Sequence, residues 1–331
     1  MKRFVEVPDP AALAGWETRA GLPALDAAQL VRDAPDAHWI LVGDDGSIAG
    51  RFSLWWRRTP PLPGHRPGII GHYASDGAAS GSALLGRACE ELAARHCTVA
   101  IGPMDGDTWR QYRFVTGGDE GVPFFLEPAN PPEWPLQFAA HGLEPLARYC
   151  SAVDEDLAAD DDPQAKRAAD RLAGEGIRLR SLDPARIDEE LRSIHGVVTA
   201  SFRGGFLYHP LSEAEFAALY APVLPRVRPE LVTIAMQGNR PVGFVFTLPD
   251  VLQGRAGGTI DTAIVKTLAV LPGRCLAGLG SHLVAENRRA ARALGFRRLI
   301  HALMHDANKS RGISARQARV FRRYTLFAKP L

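Results

Sequence analysis

Two glycines, Gly278 and Gly280, close the loop 272–280, just before a run in which Leu283, Val284, Ala290, Ala291 and Leu294 recur at helical spacing. The first N–H groups of a helix have no internal partner, and glycine lets the backbone come close to a ligand. The stretch Arg274-Cys275-Leu276-Ala277-Gly278-Leu279-Gly280-Ser281 therefore offers a phosphate or pyrophosphate site. It is neither a P-loop, since Gly-Lys-Ser/Thr is absent, nor a dinucleotide fingerprint, since the third glycine is missing. Three side chains are candidates for moving protons. His305 titrates near neutrality, Asp261 is the only carboxylate close in sequence to the strand before the loop, and Tyr324 is the nearest tyrosine downstream. Asp261 also suits the turn after Gly257-Gly258, and Tyr324 falls in a presumed last strand. His301 and His305 lie four apart on what reads as strand and loop, so no metal site is expected there. Two clusters are candidate substrate surfaces. Asp105, Asp107, Arg110 and Arg113 put both charge signs beside Trp109, and Phe206 and Tyr208 supply aromatic walls or loop anchors within 201–209.

The elements that must position these residues read clearly. The strand 264–270 is apolar except for Lys266 and Thr267 and stops at Leu271-Pro272-Gly273; the helix 281–294 ends at Gly295, and a second strand follows at 297–301. Strand, helix, strand in this order makes parallel neighbours, with ligands beyond the strands' carboxyl ends, where the loop 272–280 lies. The order of elements occurs twice. A hairpin at 39–42 and 48–55, a strand at 67–73, a helix at 80–95 and a strand at 98–102 match a hairpin at 231–236 and 241–248 and the later core. Arg148-Tyr149 in the first copy answers Arg323-Tyr324 in the second. Where the second copy has Gly278 and Gly280, the first has Asp76 and no Gly-x-Gly, and an aspartate there repels pyrophosphate.

With 331 residues the chain exceeds a usual single core. The reading is a tandem of domains at 1–153 and 177–331, joined by an acidic linker and helix at 154–176. A net charge of +2 without a long basic run gives no reason to expect nucleic acid. No stretch is apolar enough to cross a bilayer and no leader precedes the first strand, so no membrane is expected and the cytoplasm is the plain reading. Cys89, Cys97, Cys150 and Cys275 form no CxxC pair and read as mostly buried thiols.

The strand 264–270 followed by Gly278-Leu279-Gly280 and a helix resembles the acyl-CoA-binding core of the GNAT acetyltransferase superfamily, whose pattern is Arg/Gln-x-x-Gly-x-Gly/Ala. Both glycines match, whereas Cys275 stands at the Arg/Gln position and Arg274 sits one place early. The resemblance covers nearly the whole chain and is strongest from Leu231 onward. It implies an α/β protein of two tandem GNAT-like domains, each a mixed, mostly antiparallel sheet flanked by helices with a central parallel strand pair. It implies acetyl-CoA or another acyl-CoA as cosubstrate, without a metal, and acyl transfer, most simply acetyl, to a primary amine on a small molecule or peptide. By the same resemblance Leu268, Ala269 and Val270 contact the pantetheine arm through main chain, residues 274–281 hold the pyrophosphate, Asn308 touches the arm, and the loop 201–209 lines the acceptor site. The family's usual tyrosine acid has no counterpart between Asn308 and Phe321. Two alternatives stay open: a non-catalytic acyl-CoA or ligand-binding tandem protein, and an aminoacyl-tRNA-dependent ligase.

Overall fold

The computed structural model describes residues 2–119, 121–158, 162–255 and 257–331; residues 159–161 of the acidic linker lie outside them. The first half runs β1 (Arg3–Glu6), α1 (Ala27–Asp33), β2 (Ala37–Val42), β3 (Ile48–Trp55), β4 (Pro67–Ser75), α2 (Ala78–Ala94), β5 (Val99–Gly102), β6 (Phe114–Gly118), α3 (Glu133–Ala140) and β7 (Glu144–Asp154). Helix α4 (Pro163–Gly174) leads to β8 (Ile177–Ser181), α5 (Ile187–Phe202), α6 (Glu213–Tyr220), β9 (Val232–Gln237) and β10 (Arg240–Pro249). The chain ends with α7 (Val251–Arg255), β11 (Thr262–Val270), α8 (Leu279–Ala293), β12 (Arg298–His305), α9 (Ser310–Ser314) and β13 (Arg319–Pro330). Local chemistry sets the helix starts. Asp26 and Asp162 cap α1 and α4 by accepting the N–H of Gln29 and Gln164, and Ser212 with Glu215 forms a capping box on α6.

The two halves do not make separate sheets. All thirteen strands join one sheet in the order β1-β2-β3-β4-β5-β13-β7-β12-β11-β10-β9-β8, with β6 pairing β13 beside this path. The halves have exchanged their last strands: β13 lies antiparallel beside β5, and β7 lies antiparallel beside β12. At the centre β7 and β13 pair with each other, and Tyr149 stands directly opposite Tyr324. Two repeat-equivalent residues facing across an antiparallel pair mark a local two-fold axis. Only the parallel pairs β4–β5 and β11–β12 break the antiparallel pattern, one in each half.

Apolar cores lie on both faces. Helix α2 packs over Leu54, Ile70, Phe114 and Phe327, and α8 covers Val245, Val265 and Leu299 on the same face of the continuous sheet. The opposite face is covered by α1 in the first half and by α5 and α6 in the second, over Phe244, Phe246 and Ala269. A buried ion pair ties the halves together: Arg288 of α8 donates to Asp154 of β7 at 2.7 Å, both nearly inaccessible. Among the described residues no helix is long and apolar enough to cross a membrane.

Candidate active site

The sheet opens in the second half. Strands β11 and β12 pair in parallel only from Thr262↔Arg298 to Val265↔His301. Beyond that point β11 stays with β10 up to Val270, while β12 stays with β7 up to His305. A bulge drives the separation. Phe246 faces Thr267 and Thr247 faces Val265, so Lys266 is the extra residue, and it stands beside Thr267 on the face that carries α5 and α6. Its counterpart irregularity in β12 falls between His301 and Met304, with Leu303 in the left-handed region at φ 57°.

The mouth of this opening is the start of α8. Gly278 caps it at φ 79° with no side-chain partner, and its missing side chain lets Ala168 of α4 approach to 2.8 Å of where a Cβ would stand. The N–H groups of Leu279, Gly280 and Ser281 lie in the first turn, where no intrahelical acceptor exists. Cations surround them: Arg171 donates to the carbonyls of Cys275 and Ala277, Arg316 donates to Ser281 Oγ at 2.9 Å while also pairing with Asp162 at 2.6 Å, and Arg274 is exposed in the loop. Free amides at a helix start amid three arginines are suited to a pyrophosphate. Leu268 and Val270 turn their side chains to the α8 core and Ala269 turns to the other face, so only main chain remains to line the opening. Asn308 Oδ1 accepts from Ser310 N at 3.1 Å at the start of α9, a turn-capping position.

The corresponding place in the first half is filled. Strands β4 and β5 pair only from Pro67↔Val99 to Ile69↔Ile101. The chain after β5 then runs into the gap: Met104 N donates to Ile70 O at 2.9 Å, and Met104 O would lie 2.1 Å from a Cβ on Gly71. Helix α3 adds Trp134 and Phe138, and Gln137 Oε1 would meet a Cβ on Gly81 at the start of α2. Asp76 is paired with Lys2, Arg19 and Ser80, so a carboxylate with its own counter-ions occupies the place of a phosphate.

Several residues singled out in the sequence do not meet at the opening. Asp261 sits at the other end of β11, bound to Arg298 at 2.7 Å and to Gln253 and Thr262, and these partners keep its carboxyl below the usual range although burial opposes them. It serves the turn, as a base would not. Tyr324 is 1 % exposed, donates to Glu127 and shares a hydrogen bond with Ser151; burial raises its hydroxyl far above the ordinary tyrosine range. It is a seam residue with no free proton to give. Asp105, Asp107 and Arg110 turn into the first half: Asp105 accepts the His72 N–H at 2.6 Å, Arg110 pairs with Asp107 and with Asp33 at 2.9 Å, and Asp33 also accepts from His72 at 3.0 Å. That half needs these charges to satisfy one another in its interior, so they do not face an acceptor.

Other residues do come together. Trp109 crosses to the second half, donating to His209 O at 2.8 Å and packing against Tyr208, Phe202 and Phe216. Tyr208 is thus an anchor of the two loops. Phe206, 39 % exposed, lies over His305 with ring centroids 5.4 Å apart, and His305 in turn meets Tyr149 at 4.9 Å. Burial lowers the His305 pKa against the opposing charge of Asp306, and Arg113 adds to the shift, which favours the neutral ring. Its Nδ1 accepts the Ala307 N–H at 3.0 Å, which assigns the proton of the neutral ring to Nε2. The free edge of His305 is therefore a donor, and this argues against its use as a base.

Arg113 and Lys266 are the residues that sequence reasoning undervalued. Arg113, at φ 68° and 6 % exposed, reaches from the first half to Leu303 O on β12 at 3.4 Å, with its guanidinium over Tyr112 at 3.8 Å and Tyr149 at 4.3 Å. Lys266 is half-buried, and burial, then Arg113, lower its pKa to about 8. Its signal was present as a lysine and a threonine side by side in an apolar strand. Among the described residues no group of three or more His, Cys, Asp or Glu side chains is placed to hold a metal ion.

No family model matches the chain. A curated relative, the bacterial ceramide synthase of Caulobacter vibrioides, is 25 % identical over 264 residues, which is 76 % of this chain and 67 % of that protein. Among solved structures, a GCN5-related N-acetyltransferase from Sphaerobacter thermophilus superposes with a TM-score of 0.53 at 16 % identity, covering 99 % of this chain and 95 % of the other. A tandem GNAT protein from the clavulanic acid biosynthesis pathway superposes with a TM-score of 0.52 at 16 % identity, covering 100 % and 98 %. At such identities the likeness speaks for architecture, and it agrees with the repeat, the paired hairpins and the two parallel strand pairs: the chain has the fold of the GNAT superfamily in its tandem form.

Proposed function

We propose that the protein is an acyl-CoA-dependent N-acyltransferase that works at the opening between β11 and β12, with acetyl-CoA as the first donor to consider and a primary amine as acceptor. The observation that carries this reading is the difference between the halves. One strand opening is plugged by its own chain and has Asp76 at the helix start, whereas the other is splayed by a bulge and has free amides and arginines at its mouth. Gly278 to Ser281, with Arg171, Arg274 and Arg316, would hold the pyrophosphate; the main chain of Leu268 to Val270, and Asn308, would run beside the pantetheine arm. The acyl-CoA supplies an activated thioester. The lone pair of a neutral amine adds to its carbonyl carbon, the C–N bond forms as the C–S bond breaks, and the proton lost by nitrogen passes through water to the departing thiolate. The His305 Nε2–H is free to donate to a developing negative oxygen or sulfur. In this reading the second domain, 177–331, is the working unit, completed by the exchanged β7 and the loop after β5.

A second reading changes the donor. The relative named as a ceramide synthase forms, by that name, an amide of a long-chain amino alcohol, and the apolar layer behind Tyr220, lined by Leu191, Ile194, Phe216, Phe244 and Phe246, lies next to Thr267 of β11. That layer is packed, with a free volume of only about 20 Å³, so a long acyl chain in place of acetyl rests on the relative's name alone. The test is release of free thiol from acetyl-, octanoyl- and palmitoyl-CoA against amines, amino acids, peptides and long-chain amino alcohols. Thiol release with a matching amide product supports the proposal, and the preferred chain length decides between the readings. Binding without turnover on any acceptor would overturn it in favour of a ligand-binding protein.

A further inference from the structure

Arg113 and Lys266 are two cations near enough for the charge of one to weaken the other's hold on its proton, and no carboxylate is paired with either among the described residues. The bulge places Lys266 at the first position where β11 leaves β12, and Arg113 reaches the Leu303 carbonyl just across that gap. Arg113 Nε is buried and has no hydrogen-bond partner. A buried guanidinium or ammonium ordinarily costs several kcal/mol unless paired. Here the described carboxylates nearby are already committed: Glu127 to Tyr324 and Arg322, and Asp306 to Arg311. The remaining neighbours, Tyr112, Tyr149 and His305, are neutral, and the faces of the two tyrosine rings offset only part of the cost of burying Arg113. Phe206 and His305 stand at the exposed side of this space.

We propose that Arg113 and Lys266 hold an anionic group of the acceptor, a carboxylate or phosphate carried on the same molecule as the amine. The proposal rests on the acyltransferase reading for the word acceptor; the anion site itself does not depend on it. An anion between the two cations would also restore the proton of Lys266. The lowered affinity of Lys266 for its proton, caused by burial and Arg113, fits a site that awaits a counter-charge.

The experiment is calorimetry of the full chain saturated with CoA, which excludes turnover, using two matched pairs: leucine against 3-methylbutylamine and O-phosphoethanolamine against ethanolamine. At pH 8 at least one anionic member binds ten-fold or more tighter than its neutral counterpart. Its heat changes with the ionisation enthalpy of the buffer because Lys266 takes up a proton. Lys266→Met removes both the preference and the proton uptake, while Lys266→Arg keeps the preference and loses the uptake; thermal unfolding confirms that both variants are folded. Which pair shows the preference tells carboxylate from phosphate. Equal binding of charged and neutral members, or a preference that survives Lys266→Met, overturns the proposal. If CoA binds and no preference is seen, the anion site falls and the acyltransferase reading stands. If CoA does not bind and the same pairs titrated into the CoA-free chain still show the preference, the reverse holds.

Discussion

Placing a carboxylate at the start of α8 tests the pyrophosphate site, and the structure decides which glycine to use. At Gly278 the backbone is left-handed, which costs an L-residue about 1–2 kcal/mol, and a Cβ would sit 2.8 Å from the Ala168 Cβ. Gly278→Asp would therefore strain the fold and blur the result. At Gly280 the backbone is helical, and a Cβ would meet only the Ile313 Cδ1 at 3.2 Å and the Leu268 Cδ2 at 3.7 Å, both ends of flexible side chains. An acid in the first turn favours the helix by about 0.3–1 kcal/mol, so Gly280→Asp should fold as well as the parent chain. The first half already shows the arrangement in Asp76, at the start of α2. A phosphate on the same amides would lie roughly 4 Å from the new carboxylate, where one pair of like charges costs about 4 kcal/mol at an effective dielectric near 20. Allowing for salt screening, acetyl-CoA affinity should fall about 100- to 1,000-fold by calorimetry, with an unchanged unfolding temperature. Wild-type affinity in a folded Gly280→Asp protein would refute the placement of the pyrophosphate at this helix.

Two further predictions concern stability. His38 and His301 are held neutral by burial, their pKa values lowered to about 3 and about 4. Because the unfolded chain takes up protons near pH 6.5, their contribution is complete above that pH and is lost as pH falls toward 4, about 2 kcal/mol for each by pH 5. Urea unfolding at pH 7 and pH 5 should show this loss, and His301→Gln should remove about half of it; a flat profile would contradict it. Arg288→Met leaves Asp154 charged in the interior and should cost about 3–5 kcal/mol, most of it recovered when Asp154→Leu is added. A double variant as unstable as the single one would show that packing, not charge, dominates there.

Much of the fold is legible in the sequence because it depends on local period and punctuation. The hairpins, α2 and α8 all follow alternation, amphipathic spacing and Gly or Pro stops. The exchange of β7 and β13 is not legible. Both last strands mix apolar and charged residues, are of similar length and carry a tyrosine, so nothing local tells which neighbour each will pair with. The site divides in the same way. The spacing of Gly278 and Gly280 points to a helix start, and α8 begins there. Asp105, Asp107 and Arg110 mislead because their partners, Asp33 and His72, come from distant sequence. Lys266 is visible as a polar interruption of a strand, but its meaning requires Arg113, 153 residues earlier in the sequence and across the seam between the halves.

The same segment explains why one half is closed and the other open. The chain that follows β5 fills the first half's own strand opening with Met104, buries Asp107 and half-buries Asp105 there, and then turns outward at Trp109 and Arg113 into the second half. A loop that merely degenerated would plug its own cleft and stop. This one continues across the seam, locks the loop 201–209 through Trp109 and the Leu207 carbonyl, and delivers a buried guanidinium to the edge of the other opening. Carrying a buried cation there is costly, and its contacts straddle the seam: the rings of Tyr112 and Tyr149 from the first half and the carbonyl of Leu303 from the second. On the proposed reading the first half would form one wall of the second half's site, and a chain truncated to 177–331 would lack both the exchanged strand β7 and Arg113.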